Sequence, residues 1–228
     1  MTMTAMSRKV RLCLAILSGL SIFGALVLLG LYLAARHEPT FYQAALEIEP
    51  AVLEKASDRM LQQATALASA VKKEKHWEAL FTAEQINGWL AVDLVKNHPT
   101  ALPPMLRDPR VAIDAKTIAV ACRFEHEGGE SVLSLTVEPS VPEPNVIALR
   151  ILSAKVGLLP VPLGRVLDRL SQAARDMDFR LEWRRSGSDP VALLSFPSGE
   201  DDHPVRIEAL RLGEGEIYVA GSTPPKGP

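Results

Sequence analysis

The sequence predicts an α+β protein: a single N-terminal transmembrane helix, then a long helix and a curved, mainly antiparallel β-sheet domain. Three observations predict it. An uncharged apolar run of helix length opens the chain, two amphipathic helical stretches follow, and beyond Pro109 the hydrophobic period changes from 3.6 residues to 2. Helices first and strands after, with one helix inserted among the strands, fit an antiparallel α+β domain better than alternating βαβ units. No repeat of about 20 to 50 residues is present.

The apolar run is Leu12 to Ala35, LCLAILSGLSIFGALVLLGLYLAA, 24 residues without a charge. At about 1.5 Å per residue it is long enough for a hydrocarbon core of about 30 Å. Arg8, Lys9 and Arg11 precede it and Arg36 alone follows closely, so the basic excess predicts residues 1–11 in the cytoplasm and the rest of the chain extracytoplasmic. The run exceeds the roughly 7 to 15 apolar residues of a signal peptide and offers only Leu33, Ala34 and Ala35 before Arg36, which predicts an uncleaved anchor. Gly19, Gly24 and Gly30 do not follow the four-residue spacing of a helix-dimer face. Its predicted partner is therefore membrane lipid.

With 25 basic and 27 acidic residues among 228, the net charge of −2 argues against nucleic acid as a partner. Cys13 lies in the apolar run and Cys122 in a predicted strand, so no disulfide is expected between them. Cys122 reads as a small buried apolar group.

Residues 36–49, beginning RHEPTFYQ, read as a linker in which Phe41 and Tyr42 suit the membrane interface and the core equally. An extracytoplasmic domain is expected over 50–222 and a flexible tail over 223–228. Pro50 suits a first helical position, and a helix to about Lys75 places Leu53, Met60, Ala64, Leu67 and Val71 on one stripe. In FTAEQINGWLAVDLVKNHP, Thr82 and Gln85 form a capping box, Ile86, Trp89, Leu90 and Leu94 an apolar face, and Pro99 a stop. Ile118, Val120, Cys122 and Phe124 alternate toward a turn at Glu127 to Glu130, and Val132 to Val137 returns.

A proline-rich elbow, EPSVPEPN, leads to a long strand from Val146 to Val156 that is apolar on both faces and must be covered on both. GLLPVP at Gly157 to Pro162 then reads as an apolar crossover into a helix from Leu163 to about Arg175. Phe179, Leu181 and Trp183 alternate with Arg180, Glu182 and Arg184. Strands at Val191 to Phe196, Val205 to Leu212 and Glu216 to Ala220 complete the sheet, the last two joined by Gly213-Glu214-Gly215.

No nucleophile elbow, phosphate loop, paired metal-ligand spacing or cysteine pair occurs, so no catalytic residue, metal or cofactor is assigned and the chain reads as a non-enzyme. Glu200, Asp201, Asp202 and His203 lack the every-other-residue pattern of a calcium loop and read as a solvated turn. Glu125 and Glu127 are the weak candidate for a carboxylate pair, read as a solvated hairpin end.

Three stretches carry a resemblance. The helix FTAEQINGWL, behind one anchor and one long helix, resembles the T-x-x-Q-[IL]-N-x-[WY]-L helix of YpmS-like bacterial membrane-anchored proteins. GLLPVP is similar to their G-x-[LI]-P-[IV]-P element. VRIEALRLGEGEIYVAGS is similar to their terminal hairpin and to that of a mycobacterial-type family of secreted lipid-binding proteins. The resemblance implies a curved-sheet domain related to tubular lipid-binding folds, and it supplies no functional residues. The expected function is binding of lipid or another amphiphile in an apolar groove lined by Ile147, Leu149, Ile151, Leu158, Leu159, Phe179, Leu181 and Trp183. The alternative is a membrane-tethered scaffold or assembly factor for an envelope protein, marked by exposed Trp77, Trp89 or Tyr218.

Overall fold

The computed structural model describes residues 8–126, 129–162, 164, 167–168, 171–172, 180–196 and 205–223. Its architecture is α+β with antiparallel sheets. Helix α1 (Arg8–Ala35) is followed by α2 (Thr40–Leu46) and α3 (Pro50–Lys73). Strand β1 (His76–Thr82) runs into α4 (Ala83–Ala91) and α5 (Asp93–Asn97). The strands after them are β2 (Leu106–Ile113), β3 (Ile118–His126), β4 (Gly129–Glu143), β5 (Val146–Val156), β6 (Leu159–Pro160), β7 (Arg180–Ser186), β8 (Asp189–Ser195), β9 (Arg206–Gly213) and β10 (Glu216–Ser222).

Where one curved sheet was expected, the strands form two. The larger runs β2-β3-β4-β5-β8-β7, with β6 folded back on β5; the smaller runs β1-β10-β9. Strand β1 was missed because its alternation of buried Trp77 and Ala79 with exposed His76, Glu78 and Leu80 spans one short stretch. Its partner β10 arrives about 140 residues later, pairing Trp77 with Gly221 and Leu80 with Tyr218. Nor is EPSVPEPN an elbow: β4 continues through it to Glu143. Strand β3 stops opposite Val137, so Pro139 and Pro142 fall where β4 has lost that neighbour and a missing N–H costs no ladder bond on that side.

Residues 36–49 are not a plain linker, because α2 packs Tyr42, fully buried, and Ala45 against the larger sheet. The Tyr42 hydroxyl donates to the Asp108 carbonyl at 2.9 Å. This contact belongs to a wider pattern in which the outer edge of β2 is covered residue by residue. The Arg110 Nε donates to the Ala45 carbonyl at 3.3 Å, placing a buried guanidinium at the carbonyl end of α2, where the helix dipole favours it. Burial nonetheless lowers the Arg110 pKa, opposed by nearby Asp108. Next along the edge, the side-chain amide of Asn87 on α4 takes the Val111 N–H at 2.8 Å and gives a hydrogen to the Val111 carbonyl at 2.9 Å. Finally the Gly215 N–H, from the β9–β10 turn, donates to the Ile113 carbonyl at 2.9 Å. An open strand edge invites pairing with other chains, and here α2, α4 and the terminal hairpin close it.

The capping box forms as expected: the Gln85 N–H donates to Thr82 Oγ1 at 3.1 Å and the Thr82 N–H to Gln85 Oε1 at 2.8 Å. The expected apolar face is displaced, however. Asn87 and Gly88 are the buried residues of α4, while Ile86, Trp89 and Leu90 are half-buried. The helix is also broken at Val92, so Leu94 enters the core from α5. Gly88 is where α4 touches α3: a Cβ there would lie 2.6 Å from the Ser57 amide nitrogen and 2.7 Å from the Leu53 carbonyl oxygen.

Among the described residues no single helix is long and apolar enough to cross a membrane; Leu20–Ala35 and Thr40–Leu46, bent by 48°, reach that length and composition only as a pair. The expected transmembrane helix is thus not an observed span, and α2 is occupied in the domain core. What α1 displays is exposure. Leu20, Phe23, Leu26 and Leu28 are each more than 60% exposed, and Leu29 and Leu33 more than half.

Candidate functional site

Two places concentrate apolar side chains in positions that a folded core does not use up. The first is one face of β5, β8 and β7. Register puts Ile147 beside Leu194 and Leu194 beside Leu181, and one step along puts Leu149 beside Ala192 and Ala192 beside Trp183. Directly paired residues share a sheet face. Four residues of the expected lining, Ile147, Leu149, Leu181 and Trp183, are therefore brought together, all half-buried. Over this face lies a helical turn: the Trp183 indole N–H donates to Ser171 Oγ at 2.7 Å, and that hydroxyl donates to the Leu167 carbonyl at 2.7 Å.

The opposite face of the same strands mixes charged side chains with buried Ala148 and Leu193. Arg150 pairs with Glu138 and reaches Asp189 at 3.9 Å, and Arg180, Glu182 and Arg184 are exposed. The second face of β5 is thus apolar and buried at Ala148 and charged at Arg150.

Ile151 follows Leu149 on the same face but lies beyond the end of β8, buried opposite Val137. Leu159 is half-buried where β6 pairs with Val156. Leu158 departs from the expected lining altogether, standing 54% exposed at the tip of the β5–β6 turn. Phe179 lies outside the described residues, as do Glu127, Glu200 to His203, and most of the helix expected from Leu163 to Arg175.

GLLPVP is a hairpin rather than a crossover. Gly157, at φ +61°, makes the turn and β6 returns along β5. This hairpin builds the second place, the junction with α1. The Leu158 N–H donates to the Ala34 carbonyl at 2.8 Å, a shorter bond than the 3.4 Å one that this oxygen accepts from the His37 N–H at the end of the helix. Gly157 is seated so closely that a Cβ would press on the Ala34 and Ala35 carbonyls, 2.6 Å from the latter. At the neighbouring turn, a Cβ on Gly129 would lie 2.8 Å from Arg36 Nη2. Arg36 itself stacks over the Tyr32 ring at 4.7 Å. Leu158 was expected in a groove lining and Gly157 in a crossover; their contact with a helix about 120 residues earlier leaves no local sign except a glycine at a forced turn.

The aromatic residues expected to mark a partner surface divide. Trp77 is buried, Trp89 is half-buried with its ring 6.0 Å from that of His98, and the Tyr218 hydroxyl donates to Glu78 at 2.6 Å. Glu125 forms an ion pair with Arg107 at 2.8 Å. Along α3, Leu61, Gln62, Thr65, Ala66 and Ser69 line a shallow, open depression of about 480 Å³. Burial raises the Cys122 thiol pKa to about 11, which keeps it protonated and unreactive at neutral pH. Among the described residues, no three His, Cys, Asp or Glu side chains gather as a metal site would require. No protein-family model, curated protein or solved structure matches this chain.

Proposed function

We propose that the chain is a single-pass membrane protein, anchored by α1 with its N-terminus inside, whose extracytoplasmic domain binds lipid or another amphiphile. The observation that carries the reading is α1 itself, a helix whose apolar side chains from Leu20 to Leu33 are exposed and whose last turn is bonded to the domain. Contiguous exposed apolar surface on this scale calls for an apolar environment. In sequence the apolar run reaches back to Leu12, a stretch of bilayer length. Arg8, Lys9 and Arg11 supply the orientation. The apolar face of Ile147, Leu149, Leu181 and Trp183, covered by the turn at Leu167 and Ser171, is the proposed contact for an acyl chain.

The test uses the full chain. Leu26→Arg with Leu29→Arg should release it from membranes into the alkaline-extractable fraction, and retention of that variant would refute the anchor. The chain purified in mild detergent should carry lipid detectable by mass spectrometry, and Leu149→Asp should lose it. Equal lipid on both would refute amphiphile binding at this face. A second reading, a tethered scaffold for an envelope protein, is favoured by the exposed flank of α3 with Leu61 and its depression. Crosslinking from Gln62 in native membranes that captures one reproducible protein would support it.

A further inference from the structure

The junction between α1 and the domain gathers residues suited to a water–lipid boundary. Tyr32 and Arg36, one turn apart at the end of α1, form a cation–π pair of the kind suited to the water–lipid boundary, where aromatic rings and long basic side chains settle. Between them in sequence lies Ala34, whose carbonyl accepts the Leu158 N–H. The tip of the β5–β6 turn is therefore held level with the boundary residues, through a hydrogen bond and a glycine contact too close for a side chain.

Leu158 is the exposed side chain at that tip. The same end of the larger sheet holds a second one. Strand β3 ends at His126 opposite Gly129, whose Cβ position adjoins Arg36, and Glu125 donates its N–H to the carbonyl of Met105, 43% exposed. Strands β2 and β5 are three positions apart in the sheet, about 14 Å at about 4.8 Å per strand. Two exposed apolar residues thus flank the exit of α1 at one end of the sheet.

We propose that this end of the larger sheet rests on the bilayer, with Leu158 and Met105 inserted among the lipid headgroups and first methylenes. This rests on the reading of α1 as the anchor. The occupant is the lipid surface because the rim is continuous with α1: a residue bonded to the last turn of a bilayer helix has no path away from the boundary. The domain then stands in one orientation, β4–β5 turn outermost, rather than swinging on a tether. An acyl chain leaving the bilayer beside α1 would meet the β5 hairpin first.

The full chain, with Cys13→Ala and Cys122→Ala, is reconstituted in phosphatidylcholine–phosphatidylglycerol vesicles and spin-labelled at one introduced cysteine at a time. Collision with oxygen, which concentrates in lipid, is compared with collision with a water-soluble nickel chelate. Leu26→Cys reports the anchor and Glu143→Cys, at the far end of β4, reports water. The oxygen-to-nickel ratio at Leu158→Cys and Met105→Cys should exceed that at Glu143→Cys several-fold, approaching Leu26→Cys. If Leu26→Cys reads lipid while Leu158→Cys or Met105→Cys matches Glu143→Cys, the resting orientation is overturned and the anchor stands. If Leu26→Cys itself reads water, the anchor fails and the rim with it.

Discussion

Replacing Asn87 tests whether one side chain knits the helical layer to the edge of the larger sheet. Its amide is buried and makes two hydrogen bonds to a single residue, accepting from the Val111 N–H and donating to the Val111 carbonyl. Asn87→Ala leaves both backbone groups without that partner. Each unsatisfied group costs about 1–3 kcal/mol, and the better helix propensity of alanine returns about 0.6 kcal/mol, so a net loss of about 1.5–5.5 kcal/mol is expected. That is a large share of a stability of about 5–15 kcal/mol. Asn87→Asp separates polarity from size. Its carboxylate can accept from the Val111 N–H but sets its other oxygen against the Val111 carbonyl, so burial and repulsion raise its folded pKa above the unfolded value. A raised acid is fully tolerated below its unfolded pKa of about 4 and destabilises as pH climbs toward the folded value. Urea unfolding of the full chain in nanodiscs, followed by tryptophan fluorescence from buried Trp77, should therefore show Asn87→Asp losing ground to the native protein between pH 4 and neutrality, with Asn87→Ala offset evenly. An alanine variant within about 0.5 kcal/mol of native, or an aspartate variant that parallels the native pH profile, would refute the clamp.

Gly88→Val should push α4 off Ser57 and Leu53 and cost about 2–3 kcal/mol in the same titration, with Gly88→Ala failing in the same direction. Alkaline stability should fall in two overlapping steps, because burial raises Cys122 from 9.0 to about 11 and Tyr42 from 10.0 to about 12. Both contributions are complete below the unfolded pKa and lost as pH rises through the folded one, about 3 kcal/mol each at most. Cys122→Ala should remove the earlier step, seen as a flatter unfolding midpoint between pH 9 and 10. Trp183→Phe should lose the bond to Ser171 and about 1 kcal/mol, and amides around Leu167 and Ser171 should exchange faster with deuterium.

Local rules carried the sequence reading as far as local contacts reach. The capping box at Thr82 and Gln85, the strand Val146 to Val156, the alternation of Leu181 and Trp183 with charged neighbours, and the Gly213–Gly215 turn all depend on residues a few positions apart. Asn87 looked like an ordinary helix residue because its partner Val111 is 24 positions away. Tyr42 was balanced between membrane and core until Asp108 was brought to its hydroxyl. Half of the expected apolar lining assembles because strand alternation is a local property. Leu158 left it because the turn at Gly157 sends the chain back on itself and against α1.

The pairing of β1 with β10 has a consequence for how the protein is made. The small sheet has β10 in its middle, so β1 has no strand partner until the chain has been synthesised beyond Glu216. Loop closure over some 140 residues is slow and costs entropy before any contact is gained. On the proposed topology, α1 is already in the bilayer while Trp77 and Ala79 wait on the far side of the membrane for the last strand to be translocated. The domain cannot be completed from its N-terminal end. A chain cut short before β9 would remain tethered to the membrane with that half-sheet open, displaying to envelope chaperones and proteases that its synthesis was unfinished.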